Sequence, residues 1–356
     1  MIRRSTALVF LFCLATVSYS QAPKYSNEFL SIGVGARALA MGNSMVSAVN
    51  DATAGYWNPA GLVSMRGDLQ VNLMHSEYFS GIGKYDYGSL GIPVDTNRAI
   101  AFSIIRFGVD DIPDTSELID SDGNINYDKI KSFSVADYAF LFSYSRATTI
   151  TGLRYGANAK IIHRKVGKFA NAWGFGLDAG LQYDYNKWRF GAMGRDITST
   201  FNAWNYTLPE ELLAAYAVTG NEIPENSIEV TLPKLILSMA YKGEIAEKFT
   251  VLPVLDVDVT FDGKRNVLIK SDPVSADPHI GLEVGYRDFI FVRGGLSNIQ
   301  DVKDFDGSTS KIVQPGLGVG IKIKNVSIDY ALTNMGENFL KSNIFSLRWE
   351  IYKQGK

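Results

Sequence analysis

From residue 68 onward the chain alternates apolar and polar positions with a period of two. Phe175, Leu177, Ala179, Leu181, Tyr183 and Tyr185 make one continuous apolar face, and the residues between them, Gly174, Gly176, Asp178, Gly180, Gln182 and Asp184, are polar or bare. The same rhythm runs through 255–261, 280–287, 317–324 and 326–333. Such alternation predicts strands with one apolar and one wet face. Fourteen strands are predicted, at 68–76, 84–93, 98–107, 134–144, 153–163, 173–185, 188–198, 233–242, 249–261, 279–287, 289–297, 314–324, 326–333 and 343–351. Their lengths are mostly those of a tilted strand crossing a bilayer, about 9–11 residues.

The alternation alone fits two folds. A membrane barrel turns the apolar face to lipid and the polar face to its lumen, whereas a soluble sandwich buries the apolar face. The connections separate them. After strands two, four, six, eight, ten and twelve they are short, as at 94–97, 186–187, 288 and 325. After most odd strands they are long, as at 108–133, 199–232, 262–278, 298–313 and 334–342, with 77–83 and 164–172 intermediate. Short turns on one side and long loops on the other belong to outer-membrane barrels. No four-strand period of a propeller is present. The expected fold is therefore all-β, a transmembrane antiparallel barrel of about 14 strands. Tyr78, Phe79, Tyr85, Tyr87, Tyr183, Tyr185, Trp188, Trp349 and Tyr352 fall near strand ends, where interface girdles sit; ordinary strand enrichment in aromatics is the other reading.

The stretch 29–65 breaks the pattern. It is rich in Gly and Ala, nearly uncharged and without strand alternation. Gly33 and Gly35 suit tight turns or close backbone contact. Residues 36–41 favour a short helix ended by Gly42 and Asn43, and Asp51 can cap a turn over 52–56. Asn58 followed by Pro59 predicts a helical turn beginning abruptly after Trp57, because Asn is a good N-cap and Pro suits the first helical position. An Ala-rich helical hairpin packed on a soluble sheet has the same local chemistry. The pattern Gly33-x-Gly35-Ala36-Arg37-Ala38, Ala40-Met41-Gly42, Asn50-Asp51-Ala52 and Trp57-Asn58-Pro59-Ala60-Gly61-Leu62 resembles the N-terminal segment of the PorV/PorQ family. That resemblance covers about thirty residues; beyond Met65 it rests on strand pattern and length. Members of that family are outer-membrane barrels associated with the type IX secretion system of Bacteroidetes, similar in fold to FadL, the long-chain fatty acid transporter. The resemblance implies an N-terminal hatch or plug inside the lumen, with Gly33, Gly35, Asn58, Pro59 and Gly61 as its motif residues. It also implies partners among translocon components or secreted cargo.

Composition adds an export route. Arg3 and Arg4 followed by the apolar run 7–17 and the small residues near Ser20 read as a signal peptide over 1–20, with cleavage before Gln21. The one cysteine, Cys13, lies inside that run, so the mature chain has no thiol chemistry. No later apolar run is long enough for a membrane helix. The expected organisation is thus 1–20 signal, 21–66 hatch or plug, and 67–356 barrel. A net charge of -2 argues against a nucleic-acid partner.

Little catalytic chemistry is legible. His75, His163 and His279 are far apart, and no metal, nucleophile-elbow or P-loop motif occurs. Asp120, Asp122, Asn124, Asn126 and Asp128 alternate as calcium ligands do, with a shorter echo at Asp304 and Asp306, but solvated turns have the same composition. Asp256 and Asp258 are expected on a hydrated lumen wall. Residues 207–217 predict a capped amphipathic helix with Pro209 and Glu210 in its first turn, at a barrel mouth. The expectation is a non-enzymatic outer-membrane protein without cofactors, in contact with outer-membrane lipid. It would act in type IX secretion; the alternative is a FadL-like transporter of hydrophobic small molecules. Lumenal faces rich in Gly, Asp, Lys and Ser weigh mildly against the latter.

Overall fold

Residues 26–115, 118, 123–303, 307–334 and 341–353 are described in the computed structural model of the chain. The signal segment 1–20, and the acidic positions Asp120, Asp122, Asp304 and Asp306, lie outside the described residues.

Fourteen wall strands form one antiparallel sheet. They are β1 Leu69–Tyr78, β2 Gly83–Asp95, β3 Arg98–Asp114, β4 Lys131–Ala147, β5 Leu153–Val166 and β6 Ala170–Tyr185. Then β7 runs Trp188–Arg195 and resumes as Thr200–Tyr206, and β8 runs Ser227–Thr231 and resumes as Lys234–Tyr241. The wall continues with β9 Phe249–Thr260, β10 Ser275–Tyr286, β11 Ile290–Lys303, β12 Thr309–Ile323, β13 Val326–Asn334 and β14 Lys341–Ile351. A short segment, Gly243–Ile245, prolongs β8 and pairs with the start of β9. The sheet closes because β14 pairs with β1, Leu69 opposite Ile351 and Leu73 opposite Leu347. Closure removes the unpaired edge that an open sheet would present to lipid.

The alternation fixes which face is which. Leu73, Phe102, Phe142, Leu181, Val292 and Leu347 stand exposed on the outside of the barrel. A ring of large apolar side chains of this extent would be unstable in water and marks the lipid-facing surface. The inward positions of the same strands, such as Ser103, Ser143, Gln182 and Asp256, are buried although polar. What buries them is the segment 26–65, which fills the lumen.

The strands run further than the hydropathy pattern at the long-loop end. β3 was expected to stop at 107 and β4 to start at 134, yet the two pair out to Asp114 opposite Lys131, with a bulge between Val109 and Ile112. Asp110, Asp111 and Asp114 end the apolar rhythm there, but a ladder standing in water needs no apolar side chains. The long connections shrink accordingly, to 115–130, 207–226 and 261–274.

Two expectations are corrected. Tyr78, Tyr85 and Tyr87 are not girdle residues: all three are buried on the lumenal face, and Asp86 between them points outward to His75, 2.7 Å away. Tyr185, Trp188 and Trp349 do lie outside, whereas Tyr352 bonds the lumenal Glu350 at the short-turn end. The predicted helix is α-helical over Glu210–Thr219, but Thr207 does not cap it, Pro209 precedes it, and no side-chain cap bond forms. Nor is it amphipathic, because Leu212, Leu213, Tyr216, Ala217 and Val218 surround the axis; Val218 is 88% exposed.

Lumenal glycines make the filled barrel possible, because the plug packs against the wall where they have no side chain. A Cβ at Gly180 would lie 2.0 Å from Asn58 Oδ1, at Gly156 2.5 Å from Pro59 C, and at Gly295 2.1 Å from Met41 C. Gly91, Gly191, Gly281 and Gly316 are seats of the same kind. Gly180→Val is therefore expected to destabilise the protein by about 1–3 kcal/mol through overpacking. Gly88→Val, facing lipid, should change little. Thermal unfolding of the two variants in detergent checks this; equal melting temperatures would contradict it.

Candidate functional site

The plug is built from short, irregular pieces. A turn at Glu28–Ser31 leads to a helix at Ala36–Ala40, which stops at Gly42 (φ +61) and Asn43 (φ 65). A second helical turn, Ala54–Trp57, is followed at once by a 3-10 turn at Pro59–Ser64. Asn58 separates them in extended conformation and its Oδ1 accepts from Ala60 N, 3.2 Å away. Asp51 Oδ1 accepts from Thr53 N at 2.9 Å, shaping the turn into the first of these two.

Pieces this short satisfy only part of their own backbone and leave several N–H and C=O groups without partners inside the plug. Lumenal side chains supply them. Asp256 Oδ2 accepts from Met45 N and Val46 N at 2.9 and 3.0 Å, and Gln70 Oε1 accepts from Ala52 N at 2.6 Å. Gln182 Nε2 donates to Val46 O at 2.8 Å, Asn158 Nδ2 to Gly55 O at 2.8 Å, and Ser145 Oγ to Ala60 O at 3.0 Å. Asn58 Nδ2 answers from the plug, donating to Val46 O and to Leu181 O of β6, both at 3.0 Å. Arg195 Nη2 donates to Tyr56 O at 3.2 Å and its guanidinium lies 4.4 Å from the centre of the Tyr56 ring. Asp256 is thus a buried anchor for plug backbone, not part of the hydrated wall expected for it.

Ion pairs fasten the plug at two further points. Arg37 meets Glu283 through two hydrogen bonds of 2.7 and 2.8 Å; Glu283 also holds Arg293, which reaches Asp329 at 2.6 Å. Asp51 is held by Arg348 at 3.1 Å. Burial alone would raise the Asp51 carboxyl; the Arg348 charge, Thr53 and Arg37 outweigh it and hold the group below its ordinary value.

One stretch of the wall is interrupted. β7 stops at Arg195, opposite Lys234, and resumes at Thr200, opposite Thr231. Between these pairs the four residues 196–199 face only Leu232 and Pro233, and Pro233 has no N–H to donate. Asp196 and Ser199 have positive φ, 54° and 56°, and Ile197 turns outward, half exposed. From inside, Lys160 pins the bulge: its Nζ lies 2.8 Å from Asp178 and 2.5 Å from Asp196, all three nearly buried. Thr200 Oγ1 donates to the same Asp196 carboxylate. A cavity of about 70 Å³ lies here, between the plug's first turn and the broken wall; Leu30, Tyr56, Leu141 and Leu232 give it an apolar side, and the rest of its lining is polar or charged.

The motif residues named from sequence come together in the plug but play different parts. Gly33 (φ +99) lies where a Cβ would meet Asn43 Oδ1 at 2.7 Å, and Gly61 where it would meet Val49 O at 2.5 Å, so both serve the plug's own packing. Gly35 also has positive φ, +88°. Asn58 and Pro59 touch the wall, at Gly180 and Gly156. Sequence reading missed Lys160, Arg195, Glu283 and Arg348. The available signal was a charged residue on the otherwise bare inward face of a strand. Of the histidines, His75 and His163 lie on the outer face, and His279 is lumenal, 3.6 Å from Asp277. Among the described residues no group of three His, Cys, Asp or Glu could hold a metal ion.

No family model matches the sequence. No curated protein matches it either. Solved structures do. The chain is similar to the CymD monoaromatic hydrocarbon channel, with a TM-score of 0.58 and 12% identity over 91% of this chain and 99% of that one. It is similar to the Pseudomonas putida toluene transporter TodX at 0.55, 14% identity, 90% of this chain and 99% of that. The Ralstonia pickettii toluene transporter TbuX aligns at 0.52 with 13% identity, over 89% and 98%. The fold is that of the FadL-like outer-membrane barrels.

Two outcomes follow from the site. Lys160→Met should leave Asp178 and Asp196 as uncompensated buried charges and destabilise by about 3–5 kcal/mol. Unfolding in detergent reads the loss, and a melting temperature equal to wild type would refute the pinning role. Asp51 binds fewer protons folded than unfolded just below its ordinary pKa of 3.8. Its stabilisation is complete above that value and disappears as pH falls through the depressed one. Asp51→Asn should therefore narrow the stability difference between pH 7 and pH 3; an unchanged difference would count against it.

Proposed function

We propose that the protein is a non-enzymatic outer-membrane barrel that passes hydrophobic small molecules between the outer leaflet side and the lumen. Its short turns face the periplasm and its long loops face outward. The observation that carries this reading is the interruption at 196–199 beside an internal cavity, where the pairing of β7 with β8 lapses next to a partly apolar space. The full-length likeness to monoaromatic hydrocarbon and toluene channels supports it. Most polar lumenal side chains bond the plug; those that line the cavity, Lys160, Asp178, Asp196 and Arg195 among them, are engaged with one another or with the plug. At about 70 Å³ the cavity is smaller than the ~150 Å³ that accepts benzene. Passage therefore requires the turn at Glu28–Ser31 to move aside.

A second reading keeps the secretion role of the PorV/PorQ type. It rests on the N-terminal motif residues Gly33, Gly35, Asn58, Pro59 and Gly61, and on a lumen so filled that partners would act at the loops. The two readings separate in one preparation. Uptake of radiolabelled toluene by cells carrying the protein should exceed that of cells without it. Uptake equal to the control, with a large translocon barrel or secreted cargo co-purifying from detergent, would overturn transport in favour of secretion.

A further inference from the structure

At the short-turn end, beneath the plug, the lumen holds a second cavity of about 140 Å³. Arg37 and Asn50 of the plug form its ceiling, and Arg66, Lys242, Asp288 and Lys322 stand around its mouth. Seven cationic side chains line it against four carboxylates, an excess of three positive charges.

The carboxylates are all engaged. Glu283 is held by Arg37 and Arg293, and Asp329 by Arg293. Asp288 is held by Lys322 at 2.8 Å and Arg66 at 3.6 Å, and Glu350 lies 3.7 Å from Arg348. Arg348 is balanced further by Asp51 of the plug, so the remaining surplus falls on Arg189 and Lys242. Neither has a carboxylate within ion-pair distance among the described residues. Arg189 is half-buried on the inward face of β7, and Asp184, its cross-strand partner, is taken by Arg154 through bonds of 2.8 and 3.2 Å. Arg348 is already engaged: Nη1 holds Asp51, Nη2 donates to Ser327, and Nε faces Glu350 at 3.7 Å.

Holding an unpaired guanidinium half out of water is costly, and a planar donor fork with a neighbouring ammonium matches an oxyanion. Gln70, Ser327 and Thr250 add neutral polar groups to the lining. We propose that this vestibule is a binding site for a small multivalent oxyanion, inorganic phosphate or a phosphate ester, entering from the short-turn side. The cavity is large enough for one such group and too small for a folded chain. The site lies apart from the broken wall, with the plug between them, so it does not depend on the transport reading.

The test is calorimetric titration of the detergent-solubilised protein with sodium phosphate, against sodium chloride at equal ionic strength. Saturable binding to phosphate is expected, weakened at least ten-fold in Arg189→Gln/Lys242→Gln and unchanged in Arg98→Gln, whose charge is on the surface with Asp95. Glycerol phosphate in place of phosphate distinguishes an ester ligand from the free ion: tighter binding assigns the ester, equal or weaker binding the ion. A native-like heat-modifiable band on gels confirms that the double variant folds. Absence of saturable binding, equal binding of chloride, or full affinity in a folded double variant would overturn the proposal.

Discussion

The structure depends on one requirement: an irregular segment enclosed in a barrel must find hydrogen-bond partners for its own backbone. Regular helices and closed sheets satisfy themselves, but turns of four or five residues do not. Asp256, Gln70, Gln182, Asn158 and Ser145 reach in from the wall to do so. Each such group left buried without a partner costs about 1–3 kcal/mol. A handful of them is comparable to the whole stability of an ordinary domain, about 5–15 kcal/mol. The polar lumen is thus explained by what it holds rather than by water.

The same requirement accounts for the glycines. Side-chain donors and acceptors can reach plug backbone only if neighbouring wall positions let it come close, and Gly156, Gly180, Gly281 and Gly295 do so. Polar anchor and bare seat alternate around the inner face, and each would be useless without the other. The ion pairs Arg37–Glu283 and Asp51–Arg348 then fix the plug's rotation, since each joins a defined plug residue to a defined strand.

Most of the wall was legible in sequence because a two-residue period is a strong signal wherever lipid demands apolar side chains. That is why all fourteen strands were found, and why the ends of β3 and β4, standing in water beyond Phe107, were not. The start of the 3-10 turn at Asn58-Pro59 was equally plain, since cap and proline act locally. The plug's partners were not legible. Nothing local distinguishes Asp256, which binds plug backbone, from Asp258 two residues on, which pairs with Lys234. The interruption at 196–199 was hidden for a related reason: Ile197 and Thr198 keep the strand rhythm in sequence, and Ile197 N still bonds Leu177 O of β6, while the pairing with β8 lapses. Tyr85 and Tyr87 misled because aromatic residues near strand ends serve both faces, and only the register decides.

The distribution of the plug's anchors also bears on how the molecule is made. Gln70 lies on β1, Asn158 on β5, Asp256 on β9 and Arg348 on β14, so its partners span the chain from the first strand to the last. A segment that precedes every wall strand therefore cannot complete its contacts until the last of those strands has arrived. Barrel closure at the β1–β14 seam and settling of the interior are consequently one event in assembly, and a chain halted before β14 lacks the means to finish either.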